Sequence, residues 1–331
     1  MASTVLVLTA LEDVTADLVI SALNEREVPV VRADPADLGA GLSFGARIGA
    51  GAPAWGGRLV TGSREVELGE ASVYYRRPTP WAARYGHLAA QQRDFCVAEA
   101  RHGLGGILHT LNGARYVNHP LAVMRAEFKP AQLHFAAELG FAVPPTLVTN
   151  DVEEARKFAA EHGHVIYKPF RGLPAGEDGH AGAIWAQRVD AGTFDDSLTV
   201  MPHLFQAEVP KTGDVRVTVV GRRVFASRIE APGGALDWRR GDWNDLVHTP
   251  VTVPGPVEAL LHRYLAGLDL VFGCFDFALT GAADEAASWV YIECNPNGQW
   301  GWLPDAPAIT EAFADILSRK EAWPSEPARR P

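Results

Sequence analysis

Apolar positions along the first third of the chain switch between short continuous runs and helical spacing. Val5-Leu6-Val7-Leu8 sits in a buried strand predicted over residues 4–9, followed by a helix over 13–26 and a strand over 28–32. Val73-Tyr74-Tyr75 predicts another short strand that ends at Arg76-Arg77-Pro78. Residues 43–70 are rich in glycine and small residues with scattered β-formers, which predicts a meander or hairpin. Residues 86–111 read as helical with a break near Gly103-Leu104-Gly105-Gly106. Together these predict an α/β domain over residues 1–116.

A second unit, residues 117–200, opens near Asn118-His119-Pro120. It predicts an amphipathic helix over 127–139 that stops at Gly140, then a strand Thr146-Leu147-Val148 after Pro144-Pro145. Asp151 and Glu154 have capping-box spacing ahead of a helix that ends at Gly163. Val165-Ile166-Tyr167-Lys168-Pro169 reads as a strand, and a glycine-rich turn through Gly172, Gly176, Gly179 and Gly182 leads to a return strand over 184–189. The third unit, residues 201–320, is antiparallel in pattern, with strands predicted at 203–209, 214–220, 223–230, 272–279 and 288–294 and helices near 256–268 and 309–319. Residues 321–331 form a proline- and charge-rich tail expected to be flexible.

The 331 residues carry a formal net charge of −10, and 47% are hydrophobic. The acidic balance argues against a nucleic-acid partner, because an extended polyanion needs a basic surface. Cys96, Cys274 and Cys294 are widely spaced with no CxxC pair, so neither a disulfide framework nor a zinc site is expected, and a cytoplasmic setting is the simplest. No apolar stretch approaches the roughly 20 residues that cross a bilayer, so no membrane partner is expected. Only Lys129, Lys157, Lys168, Lys211 and Lys320 are lysine among 30 basic residues. A lysine in such an arginine-rich chain can mark a need for a compact ammonium.

Several familiar motifs are absent or misplaced. Gly41-Leu42-Ser43-Phe44-Gly45 matches GxSxG, but a nucleophile elbow needs a strand before the serine and a helix after it, and strand-like Ala46-Arg47-Ile48 follows. No Gly-Lys dipeptide occurs, which excludes a P-loop, and no GxGxxG follows the first strand.

The chemistry-bearing residues lie later. Glu293 and Asn295, two apart at the end of an apolar strand, can converge on one hard cation, and Asp276 comes from the apolar run Phe272-Gly273-Cys274-Phe275-Asp276-Phe277. Three oxygen ligands on neighbouring strands suit Mg²⁺, although either Glu293 or Asn295 alone would read as a charged strand end. Asp214, Arg216 and Thr218 share one face of an alternating strand, and Arg228 lies on the next strand. Two arginines on a pleated surface make an anion clamp, or else a solvated cross-strand ladder that contributes little. Lys129, Lys168 and Lys211 each fall beside a candidate anion-binding element.

This order resembles the ATP-grasp superfamily: helix lysine, strand Lys-Pro, glycine loop, apolar hinge strand, Asp-x-Arg strand, second arginine, strand aspartate and final Glu-x-Asn. Asn118 to Lys129, Pro144 to Asn150, Tyr167-Lys168-Pro169-Phe170 and Asp214 to Val219 are similar to the ATP-grasp ribosomal peptide maturases, the microviridin-type (graspetide) ω-ester and ω-amide peptide ligases. The resemblance implies an ATP-grasp fold, α/β with an α+β C-terminal part, behind a Rossmann-like pre-ATP-grasp domain. It implies that Lys129 and Lys168 bind ATP phosphates under the glycine loop at 171–182. The hinge Phe205-Gln206-Ala207-Glu208-Val209 would hold adenine, with Lys211 close by. Arg228 would contact the γ-phosphate, Asp276, Glu293 and Asn295 would hold Mg²⁺, and Asp214 and Arg216 would handle the acceptor peptide. Asp195 and Asp196 are the matching candidates for leader contacts, and Asp237-Trp238-Arg239 resembles a substrate-side segment.

The implied partner is a ribosomal precursor peptide, leader plus core, and a homodimer is expected. The implied reaction activates an Asp or Glu side chain of that peptide as an acyl phosphate and passes it to a Thr or Ser hydroxyl or a Lys amine. Two alternatives share the nucleotide residues. One is a carboxylate–amine ligase acting on free amino acids or a protein terminus, of the RimK or glutathione-synthetase kind. The other is a degenerate nucleotide-binding protein, against which intact Asp276, Glu293 and Asn295 argue.

Overall fold

The structure, a computed structural model, describes residues 4–49, 51–69, 71–171 and 184–318. The glycine-rich turn from Gly172 to Gly182, Lys320 and the tail at 321–331 lie outside the described residues.

The N-terminal unit contains β1 (Val5–Thr9), α1 (Val14–Glu25), β2 (Val30–Ala33), β3 (Leu42–Gly49), β4 (Ala52–Thr61), β5 (Glu65–Glu67), β6 (Ser72–Arg76), α2 (Ala90–His102), α3 (Leu104–Leu108) and β7 (Arg115–Val117). Its main sheet has the order β2-β1-β6-β7, all parallel. Every residue of β1 is buried, as a parallel strand covered on both faces requires. Three-residue β7 escapes a reading based on periodicity because it is too short to show any. The expected meander is the antiparallel sheet β3-β4-β5. Ser43 lies inside β3, paired with Val60, so the GxSxG match has a strand where an elbow needs a helix.

The central unit holds α4 (Pro120–Ala126), α5 (Lys129–Leu139), β8 (Thr146–Thr149), α6 (Val152–His162), β9 (Val165–Lys168), β10 (Gln187–Val189) and β11 (His203–Ala207). Its sheet order is β10-β9-β11-β8, antiparallel throughout. The sequence groups residues 203–209 with the last unit, yet β11 inserts between β9 and β8, a long-range partnership that local pattern cannot reveal. Short α4, capped by His119 and opened by Pro120, is likewise absent from the sequence expectation. Asp151 caps α6 as its spacing predicts, but Glu154 turns to Lys157 instead of completing the box.

The last unit comprises β12 (Gly213–Val220), β13 (Arg223–Glu230), β14 (Val247–Pro250), α7 (Gly255–Gly267), β15 (Phe272–Leu279), β16 (Trp289–Asn295) and α8 (Ala306–Leu317). Its antiparallel sheet runs β14-β13-β12-β15-β16. Val215, Val217 and Val219 face a core shared with α5 and α7. On the opposite face, Val220, Phe272 and Phe313 join Val5, Val19 and Trp300 in one cluster, so the N-terminal sheet and the C-terminal sheet share a core.

This junction fills the place where an open parallel sheet would bind a ligand, beyond the carboxyl ends of its strands at the change of strand order. The segment after β16 occupies it. Arg76, at the end of β6, is fully buried, pairs with Asp13 at 2.9 Å and donates to the Gly298 carbonyl at 3.1 Å and to the Gln299 side chain. Thr15 donates to the same Gln299 oxygen at 2.8 Å. Gly298 is a glycine for a packing reason, since a Cβ there would lie 2.4 Å from the Cβ of Cys274. The missing GxGxxG thus accords with a crevice closed by protein.

Candidate active site

The register of the last sheet assembles the polar cluster. Arg216 on β12 faces Asp276 on β15, and Asp276 faces Glu293 on β16, with a bulge just after Asp276. Arg216 donates through Nη1 to both Asp276 oxygens at 2.8 Å and through Nη2 to the Gln299 carbonyl at 3.1 Å. Burial pushes the Asp276 carboxyl up, while Arg216 pulls it back. Burial also acts to raise Glu293, but Lys129, Arg239 and Lys168 together outweigh it and hold the carboxyl down at about 2. Two adjacent half-buried carboxylates are therefore surrounded by cations.

Lys129 is the first residue of α5, where the positive end of the helix dipole disfavours a cation. Its ammonium is compensated by Glu293 at 3.2 Å and by the Pro169 carbonyl at 3.0 Å. A cation held against a helix N-terminus makes an anion site. Buried Gln132, on the next turn, fixes the helix to β16 by donating to the Cys294 carbonyl at 2.9 Å and accepting from its N–H at 3.1 Å. Lys168, at the end of β9, donates to Gln206 at 2.6 Å, and Gln206 in turn donates to Thr146. Burial lowers the Lys168 ammonium to about 8, opposed by Glu293 and reinforced by Lys129.

Arg239 reaches the cluster from the segment between β13 and β14. It is gripped at 2.8 Å by both oxygens of buried Asp237, lies 3.7 Å from Glu293 and covers the Trp185 ring. A cavity of about 760 Å³ is lined by Lys129, Lys168, Asp214, Arg239, Asp276, Glu293 and Asn295, and also by Tyr75, Arg77, Trp81 and Met124.

The remaining sequence candidates lie elsewhere. Gln206 is buried behind Lys168 and positions it. Glu208 forms a two-bond pair with Arg188, and its N–H donates to His164. The Val209 carbonyl accepts from the Lys211 N–H, and the Lys211 ammonium is held by both Asp214 oxygens and the Leu236 carbonyl. Asp195 and Asp196 are exposed at the start of a short 3-10 turn, where Asp195 caps the Ser197 N–H at 2.9 Å.

The clamp of two arginines expected from Arg216 and Arg228 does not form. Residues paired across antiparallel strands share a face, and Arg228 pairs with Val215 while Arg216 pairs with Ser227. The two side chains therefore leave opposite faces of the sheet. Arg228 donates to the Thr212 carbonyl and pairs with Glu230 at 3.0 Å. Nor does the solvated ladder form, because Arg216 is only 6% exposed.

Among the described residues no group of three His, Cys, Asp or Glu side chains could hold a metal unaided. Asp276, Glu293 and the Asn295 amide, which touches Glu293 at 3.3 Å, offer oxygen ligands only. Such a set suits Mg²⁺, which takes one or two carboxylates and completes its shell with water and phosphate oxygens. No helix among the described residues is long and apolar enough to cross a membrane.

No family model matches the chain. Among solved structures it is similar to a RiPP-associated ATP-grasp ligase of Chryseobacterium gregarium, determined with ADP and a leader and core peptide. The two are 25% identical over 97% of this chain and 98% of that one, with a TM-score of 0.86. It is also similar to the macrocyclase MdnC of Microcystis aeruginosa, determined with the precursor peptide MdnA, at 25% identity over 96% and 99% of the two chains and a TM-score of 0.82. A glutathione synthetase of Rhodopseudomonas palustris is 34% identical over 113 residues, 31% of this chain and 33% of that protein. The match thus spans about a third of the length of that curated relative. The chain has the ATP-grasp fold, as its motif order implies.

Proposed function

We propose that this ATP-grasp chain is an ATP-dependent peptide macrocyclase that activates Asp or Glu side chains of a ribosomal precursor peptide. The observation that carries the reading is the convergence of Lys129, Lys168 and Arg239 on Glu293 and Asp276 in one cavity. Those are the parts that phosphoryl transfer needs, namely cations for polyphosphate charge beside carboxylates for a metal ion. The likeness to ligases determined with leader, core or precursor peptide supports the choice of substrate.

In this reading a peptide carboxylate attacks the γ-phosphorus of ATP, ADP leaves, and an acyl phosphate forms. A Thr or Ser hydroxyl or a Lys amine of the same peptide then attacks the acyl carbon and releases phosphate. The chain supplies position and charge rather than a nucleophile. Lys129, Lys168 and Arg239 hold phosphate oxygens, and Arg239 replaces Arg228 as the γ-phosphate cation. Asp276, Glu293 and Asn295 would hold Mg²⁺, which screens phosphate charge. Arg216 acts on the cleft through Asp276, and Lys211 holds Asp214 at its edge. The 206–209 hinge with Lys211 is the adenine side, and Asp195 and Asp196 are the leader-side candidates. The requirement for ATP and the free cysteines fit a cytoplasmic setting.

The test is to incubate the chain with ATP, Mg²⁺ and the short peptide encoded beside its gene, then follow the mass. Loss of one water per ring supports the reading. A free dipeptide joined while every peptide stays unchanged supports instead the carboxylate–amine ligase reading, which the glutathione synthetase match favours.

Nucleotide affinity should also depend on pH. Lys168 has an ammonium near about 8 in the free protein, and a bound polyphosphate raises it, so binding takes up a proton. ATP affinity should therefore fall as the pH rises through about 8, measured by calorimetric titration. Lys168→Arg keeps its charge across this range and should flatten the dependence. An equally steep fall in that variant would show that Lys168 is not the titrating group.

A further inference from the structure

Three arginines line the cavity, and two have carboxylate partners: Arg239 has Asp237 and Glu293, and Arg171 has Glu127 at 4.0 Å. Arg77 has none among the described residues. The single hydrogen bond of its side chain among those residues runs from Nε to the Asn297 carbonyl at 2.9 Å. The Nη1–Nη2 edge of an exposed guanidinium is thus left for an incoming group.

We propose that Arg77 is the substrate-side cation, which grips the carboxylate of the acidic core residue that is to be activated. The inference rests on the ligase reading and names the substrate-binding residue which that reading lacks. The phosphate cations Lys129, Lys168 and Arg239 come from α5, β9 and the β13–β14 connection, whereas Arg77 comes from the N-terminal unit. A carboxylate must approach the γ-phosphorus in line with the departing ADP, so it needs a cation outside the phosphate set. A guanidinium edge presents two parallel donors that match a carboxylate. Tyr75, Trp81 and Met124 beside it offer apolar surface, which strengthens such a pair. The tie to Asn297 places this cation two residues along the chain from Asn295, the last of the candidate metal ligands.

The backbone points the same way. Arg77 has φ +42°, a conformation that glycine or asparagine adopts more readily than arginine. An arginine stands there at a conformational cost, although its guanidinium forms no ion pair with an acid among the described residues.

The test uses two probes, N-acetyl-glutamate amide and its uncharged isostere N-acetyl-glutamine amide. Each is titrated into the full chain with ADP and Mg²⁺, and the tryptophan fluorescence of the cleft is followed. The wild-type chain should bind the acid about tenfold or more tighter than the amide, the size of one charge-assisted contact. Arg77→Gln should abolish that preference and leave ADP affinity unchanged. Arg77→Gly should also abolish it, while its melting temperature holds or rises because the strained φ is relieved. Equal binding of the two probes by the wild type, or a preference retained in Arg77→Gln, overturns the proposal. A preference that depends on Arg77, in a chain that forms no ring on any peptide, would keep this site and reject the macrocyclase reading alone.

Discussion

Exchanging Glu293 for glutamine should lower ring formation by about a thousandfold, the scale on which enzymes lose rate when a preorganised charge contact is removed. Glu293 is the hub of the cleft: Lys129 touches it at 3.2 Å, Arg239 lies at 3.7 Å, and both stabilise its charged form. Glutamine keeps the shape but supplies no charge to a metal ion. Lys129, Lys168 and Arg239 remain, so ADP should still bind in the absence of metal, and its affinity should no longer respond to Mg²⁺. The same change removes the group that supports the charge of Lys168, so the pH above which nucleotide affinity falls should move below about 8. Steady-state rates with calorimetric nucleotide titrations, with and without Mg²⁺, read all three effects. A variant with normal rate and normal Mg²⁺ response would remove Glu293 from the metal site.

The second large effect is on stability. Arg76→Met should destabilise the chain by about 3–5 kcal/mol, because it leaves a buried carboxylate without its partner. Arg76 is 0% exposed, and Asp13, which it pairs with, also caps α1 through the Thr15 and Ala16 N–H groups. The variant would strand the Gly298 carbonyl as well, and with it the segment that meets Arg216 at the Gln299 carbonyl. Replacing both members, Asp13→Asn with Arg76→Met, should cost less than the sum of the two single changes, because no lone charge remains. Denaturant unfolding of the four proteins gives the coupling. Additive losses would mean that Arg76 and Asp13 do not stabilise one another as a buried pair.

Much of this architecture is legible in the sequence because each element carries a strong local signal. Buried β1 is a continuous apolar run, β12 alternates valines with polar residues, and Asp151 marks the start of α6. The metal-side carboxylates are legible for the same reason, since Asp276 interrupts an apolar strand and Glu293 ends another. What the sequence hides depends on register and on contacts distant along the chain. Arg216 and Arg228 look like partners until their pairings with Ser227 and Val215 put them on opposite faces. Strand β11 carries no sign that it belongs between β9 and β8. Arg239 sits in a connection without periodicity, and its place beside Glu293 follows only from the grip of Asp237. Arg76 and Arg77 are adjacent letters of one kind. One is buried against Asp13 and the other opens into the cleft, because a strand ends between them.

The account stands or falls on the fate of one oxygen atom. If the side-chain carboxylates of the precursor peptide carry heavy oxygen, an acyl phosphate must pass one labelled oxygen to phosphate for every ring closed. Mass spectrometry of the released phosphate should therefore find one label per ring and one ADP per ring. Rings formed with unlabelled phosphate would contradict activation of the peptide carboxylate by ATP.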